Sequence, residues 1–214
     1  MSANSHDEIS QEMHSLNLYI RNMKIIKFRL NSIRSCRANG LPRNYSFFNN
    51  VEFCVLQIRK ILELIAYSSL VSDAEVYRQQ LGKIEKMWNA KLILNDLERI
   101  HKEFYPQPFS LDPNDNVNER LIDKKEPFLS RDEFVKVYDK CGKILHEFSP
   151  LETDATIEDE FNAVWNSIDE WVDHIVQLLS LHIIWLYNEH LFYIKLGDND
   201  TEPTGRLMQK ESAD

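Results

Sequence analysis

The sequence predicts a mainly α protein: a helical bundle of about five to six helices with a small C-terminal β-hairpin or three-stranded meander. Three observations lead there. Apolar residues recur at helical spacing through most of the chain. Only five glycines and seven prolines occur in 214 residues, too few for a sandwich built on many turns. The periodicity becomes strand-like only after His182.

The first helix is expected from about Asp7 to Arg34. Leu16, Tyr19, Ile20, Met23, Ile26, Leu30 and Ile33 form one stripe at a 3.6-residue period; Arg21 and Lys24 point away from it and Lys27 lies near its edge. Asn39-Gly40-Leu41-Pro42 then breaks the helix. The second, about Asn50 to Val71, is apolar nearly all round and belongs in the centre of a bundle. Glu52, Arg59 and Glu63 nevertheless share one of its faces.

Ser72-x-x-Glu75 has the form of a capping box opening a helical stretch to about Met87. Another stretch follows with Leu94, Leu97, Ile100 and Phe104 inward, ended by Pro106 and Pro108. The segment 107–127 is polar and turn-rich, with Asp112-Pro113-Asn114-Asp115-Asn116 as a loop. A second capping box, Ser130-x-x-Glu133, starts a helix carrying Phe134, Val137, Tyr138, Cys141 and Leu145, and Pro150 ends it. The last helix, about Thr156 to Leu181, bears Phe161, Val164, Trp165, Ile168, Val172, Ile175 and Leu179 on one stripe. Beyond it, Ile183 to Tyr187 and Leu191 to Ile194 form two β-branched and aromatic runs that suggest a hairpin, with continuation of the helix as the rival reading. A third strand is expected near Arg206 to Gln209. The domain organisation that follows is a single helical bundle over 1–182, an internal polar loop at 107–127 and a β-hairpin appendage at 183–210 packed on the bundle.

Composition bounds the function. A hydrophobic fraction of 43% with 28% charged residues suits an ordinary globular core. No apolar run approaches the roughly 18 residues of a membrane span, and the polar, acidic start resembles neither a secretory nor a transit peptide. Cys36, Cys54 and Cys141 are odd in number and widely spaced, which supports neither a disulfide framework nor a zinc site and suggests a cytoplasmic protein. No metal and no cofactor is expected, since Gly-rich phosphate loops, G-x-S-x-G and HExxH are absent. The net charge of −9 argues against coating nucleic acid over the whole surface. Yet no Asp or Glu occurs from Met13 to Val51, where Arg21, Lys24, Lys27, Arg29, Arg34, Arg37 and Arg43 all fall. That helix either contacts phosphates, with Tyr45, Phe47 and Phe48 as stacking surfaces, or docks on the protein's own acidic residues.

The most specific motif is Lys140-Cys141-Gly142-Lys143-Ile144-Leu145-His146. A glycine inside a helix costs about 1 kcal/mol relative to alanine, so Gly142 marks a close approach by another group. His146 in the last turn faces carbonyl dipoles that favour its imidazolium form; a purely structural role there is the plainer reading. A helical bundle whose later helix ends in a basic residue, a short spacer and a histidine resembles the HEPN superfamily. That resemblance implies RNA cleavage or RNA binding, often at a homodimer interface, in a bacterial or mobile-element defence context. It makes His146 the acid/base and Lys140, where the family pattern has arginine, the electrostatic stabiliser of a metal-independent endoribonuclease. Lysine is a poor replacement for an arginine that clamps phosphate with two hydrogen bonds.

Arg59 and Glu63 on the central helix are the second pair of interest. They form either an i,i+4 ion pair or a polar patch facing His146. In the RNA- or nucleotide-binding reading Lys143, Arg59 and Glu63 join the site, and Arg21, Lys24 and Lys27 guide the strand. The alternative is a non-enzymatic protein–protein interaction module that uses the aromatic hairpin (Trp185, Tyr187, Phe192, Tyr193) or the last helix. Convergence of His146, Lys140 and Arg59 on a concave basic surface favours the first. A capped His146 with Arg59 paired elsewhere favours the second.

Overall fold

A computed structural model describes residues 2–41, 46–72, 74, 89–115, 119–187, 190–198 and 200–209. In chain order the described elements are α1 (Ser2–Asn39), α2 (Phe47–Ser72), α3 (Ala90–Ile100), β1 (Gln107–Leu111), β2 (Leu121–Asp123), α4 (Arg131–Leu145), α5 (Asp154–Leu179), β3 (Leu181–Trp185), β4 (His190–Lys195) and β5 (Thr204–Gln209). The protein is mainly α, as expected. None of the described helices is long and apolar enough to cross a membrane.

α1 buries the stripe its sequence announces, from Leu16 and Tyr19 through Ile33 and Cys36. It runs past Arg34 to Asn39 and stops at Gly40, whose φ of +69° suits glycine, with the Gly40 N–H donating to the Cys36 carbonyl. α2 is central: Val51, Cys54, Val55, Ile58, Ile61, Leu62 and Ile65 are fully buried, and it packs against α1, α3, α4, α5 and β3. Ser72 is the last residue of α2 and donates its hydroxyl to the Ser69 carbonyl; the Glu75 half of the expected capping box lies outside the described residues. The helical stretch expected from Glu75 to Met87 lies outside the described residues. α3 is capped by Asn89, whose side chain accepts from the N–H groups of Lys91 and Leu92. It stops at Ile100, and the buried Phe104 lies in the turn beyond it.

The β component is larger than the sequence suggests. Instead of a small hairpin or meander, five antiparallel strands form one sheet in the order β2-β1-β3-β4-β5. The 107–127 segment, expected to be a polar loop, supplies β1 and β2. The error has a physical cause. β1 begins Gln-Pro, and proline argues against a central strand because it cannot donate to the ladder. Here Pro108 pairs only toward β3, opposite His182, while β2 pairs with β1 further along, at Phe109 to Leu111. Pro108 thus stands at the end of the β1–β3 register and outside the β1–β2 one, a ladder end where a missing donor is tolerated. β3 and β4 form the expected hairpin, so the chain does not continue as helix past Ser180, and β5 adds the third strand. Ile184, Phe192 and Ile194 belong to the same core cluster as the helices. Gly205 permits the approach of β5 to α1: a Cβ there would lie 2.9 Å from Leu16 Cδ1 and 2.7 Å from Ile194 Cδ1.

Where α1, the end of α5 and the sheet meet, a polar pair is sealed in. His182 is fully buried. Its Nδ1–H donates to the Leu179 carbonyl at 3.0 Å, so Nε2 accepts from the Tyr19 hydroxyl at 2.9 Å. This uses both nitrogens of one neutral tautomer. Burial lowers the His182 pKa from its ordinary 6.5 to about 4 and pushes the Tyr19 hydroxyl up. Because the folded pKa is below the unfolded one, this stabilisation is fully present above pH 6.5 and is lost as pH falls toward about 4. The loss is about 3 kcal/mol at 1.36 kcal/mol per pKa unit. Urea denaturation at pH 7 and pH 4 should show it, and a Tyr19→Phe/His182→Leu double variant, which removes both polar groups, should show a smaller loss.

Candidate functional site

The site begins with the end of α4. Ser130 caps its start by accepting from the Glu133 N–H, and the Glu133 carboxylate goes across to α5, accepting from His174 Nδ1 at 2.6 Å. The capping box is therefore used in one direction only. At the other end the backbone turns extended at His146, whose N–H donates to the Gly142 carbonyl. The helix ends there, four residues before Pro150, so Pro150 does not set the boundary. The His146 side chain is exposed, and its imidazole makes no hydrogen bond among the described residues.

Two polar assemblies flank this helix end. On the α2 side, the Arg59 guanidinium lies over the Tyr138 ring, 4.2 Å from its centroid, and Nη2 donates to the Tyr138 hydroxyl at 3.0 Å. Arg59 Nε is 3.6 Å from Glu63, whose other oxygen accepts from Lys60 at 2.9 Å. Gly142 is what admits the guanidinium, since a Cβ there would sit 3.1 Å from Arg59 Nη1. The glycine is thus a notch for Arg59, and the Arg59–Glu63 pair is both an i,i+4 ion pair and part of an interhelical patch. Beside it, burial pushes the Cys141 thiol up to about 12, which leaves it inert as a nucleophile.

On the α5 side, Lys140 and Lys143 converge on a single carboxylate. Lys140 Nζ lies 2.8 Å from Glu160 Oε2 and Lys143 Nζ lies 2.8 Å from Oε1. The two ammonium groups hold the Glu160 carboxyl below the usual carboxylate range, and Glu160 in turn raises Lys143. Lys140 therefore reaches from α4 to Glu160 on α5, while Arg59 reaches from α2 to Tyr138 on α4, and no hydrogen bond or ion pair joins His146 to either among the described residues.

The basic first helix is largely spent on internal ties. Lys24 pairs with Glu202 at 3.2 Å, and Lys27 donates to the Thr201 carbonyl, both in the loop before β5. Arg29 donates to Gln57 on α2 at 2.6 Å. Arg37 chelates Asp169 and lies 4.1 Å over the Trp165 ring, which lowers the Asp169 carboxyl and raises Arg37. Arg21 is exposed on α1. Arg43 and Tyr45 lie outside the described residues.

Sequence reasoning did not anticipate an aromatic cluster around Phe161, the neighbour of Glu160 on α5. Phe161, the residue after Glu160, meets Phe48 edge-on at 4.6 Å and Phe148 at 5.8 Å, and Phe47 packs edge-on against Trp165 at 5.6 Å. Phe48 remains 38% exposed. Phe47 and Phe48 carried a weak signal, an aromatic pair after a basic helix, but their packing on Trp165 and Phe161 depends on α5. Of the hairpin aromatics, Phe192 and Tyr193 are buried and only Tyr187, at 57%, is well exposed. Among the described residues no three His, Cys, Asp or Glu side chains come together as metal ligands.

The Arg59–Tyr138 contact should be measurable. A double-mutant cycle with Arg59→Ala and Tyr138→Leu, which removes both ring and hydroxyl, read by urea denaturation, should give a coupling of about 0.5–2 kcal/mol. Comparison with known protein families, with curated proteins and with solved structures found no match to this chain.

Proposed function

We propose that this chain is a HEPN-like helical protein of the cytoplasm that binds RNA or a nucleotide without cleaving it. The observation supporting this reading is the gathering of Lys140 and Lys143 on Glu160, the residue before Phe161, against which the half-exposed Phe48 and Phe148 pack. Paired ammonium groups with a neighbouring aromatic face suit a single strand, whose phosphates want charge and whose bases want a surface to stack on. Cleavage asks for more. It needs a general acid/base within hydrogen-bond reach of the reacting proton and a cation aimed at the same phosphate. Lys140 is paired with Glu160, and Arg59 is committed to Tyr138 and Glu63.

A second reading, a protein–protein interaction module, rests on a different surface. Tyr187 stands 57% exposed just beyond β3, and Met208, 48% exposed, lies on β5 at the edge of the sheet. Exposed apolar groups beside an edge strand suit strand pairing with a partner or a second copy.

Electrophoretic mobility shift with a mixed pool of short RNAs separates the two. Binding that weakens steeply between low and moderate salt, that is reduced several-fold by Lys140→Ala or Lys143→Ala and that leaves the RNA intact, is the expected result. Cleavage lost in His146→Ala would replace binding by catalysis. No shift at low salt would remove the RNA reading. Light scattering of wild type and Met208→Lys then tests the sheet edge: an oligomer that the substitution dissociates would support the interaction module.

A further inference from the structure

The Lys140–Glu160–Lys143 cluster has a consequence beyond binding as such. The two lysines sit one turn apart on α4, and α5 presents one carboxylate with an oxygen for each. Without that carboxylate, two ammonium groups one turn apart repel each other. A phosphate group offers the same arrangement: neighbouring anionic oxygens on one centre, each able to accept from one lysine. The cluster is partly open, since the Glu160 side chain is 24% exposed, so solvent and solutes reach it. Glu152 also acts on Lys143.

Resting on the RNA-binding reading of this same edge, we propose that Glu160 is a built-in occupant of a phosphate site formed by Lys140 and Lys143. A single-stranded nucleic acid displaces the carboxylate, and its adjacent base rests on Phe48 and Phe148. Glu160 therefore keeps the resting affinity low. It exchanges one anion for another, so net attraction to a phosphate is modest until the carboxylate swings away. The site belongs to the chain's folded surface, and its charge balance is set by one side chain.

The test uses the full-length protein and a fluorescein-labelled single-stranded uridine oligonucleotide, read by fluorescence anisotropy at low salt. Glu160→Gln should tighten binding by about tenfold, since it removes an anion that competes with the phosphate for the same two lysines. Glu158→Gln, at an exposed position on the same helix, changes net charge equally and should have little effect. Adding Lys140→Ala and Lys143→Ala to Glu160→Gln should abolish the gain, and adding Phe48→Ala should reduce it. Circular dichroism melts confirm that each variant is folded. If Glu160→Gln binds no more tightly than Glu158→Gln while the wild type binds, the occupant role is overturned and the RNA reading survives. If no variant binds, both fall. Inorganic phosphate serves as a competitor. Displacement of the oligonucleotide by phosphate at equal concentration overturns the part assigned to Phe48 and Phe148.

Discussion

The structure depends on the burial of α2. A helix with apolar side chains on nearly every side cannot rest at a surface, and it is stable only when other elements surround it. Here α1, α3, α4, α5 and β3 all pack against it. The burial of Val51, Cys54, Val55, Ile58, Ile61, Leu62 and Ile65 provides an apolar term of about 1.5–3 kcal/mol for each large side chain. This positions every other helix, and with them the charged groups at their junctions.

Those junctions explain how a protein with a net charge of −9 carries its cations. Few of the basic residues singled out by the sequence face bulk solvent alone. Arg29 ties α1 to α2, Arg37 ties α1 to α5, Lys24 and Lys27 tie α1 to the loop before β5, Arg59 ties α2 to α4, and Lys140 and Lys143 tie α4 to α5. Exposed pairs of this kind contribute little to stability individually. Their effect on recognition is larger, because each carboxylate that neutralises a lysine also competes with a phosphate for it. The basic character of residues 13–51 is therefore mostly satisfied from within, and at the α4–α5 edge two cations from one helix share a single anion on another.

The sheet shows a different balance. It joins residues from the middle of the chain to its last third, and its inward face is continuous with the helical core through Ile184, Phe192 and Ile194. Its junction with α1 and α5 contains the sealed Tyr19–His182 pair, in which hydrogen bonds to both imidazole nitrogens compensate the desolvation that burial imposes.

Local periodicity was enough to establish the helices α1, α2, α4 and α5, their buried stripes and the strand character of the chain after His182, because helix and strand repeats are written into neighbouring residues. The Ser130 cap and the packing role of Gly142 were legible for the same reason: each depends on residues within one or two turns, or on a cost that one residue type always incurs. The strands β1 and β2 were not legible. A proline in a short polar segment says nothing about which side of a strand will be paired, and that was decided by β3, more than 70 residues further along. The site followed the same division. Spacing put Lys140, Lys143 and His146 on one helix end, but only the packing of α2 and α5 sent Arg59 to Tyr138, the lysines to Glu160 and Phe48 to Phe161. Sequence determined which side chains α4 offers; tertiary structure decided which neighbours answer them, because charge pairing across helices depends on distances that no local repeat encodes.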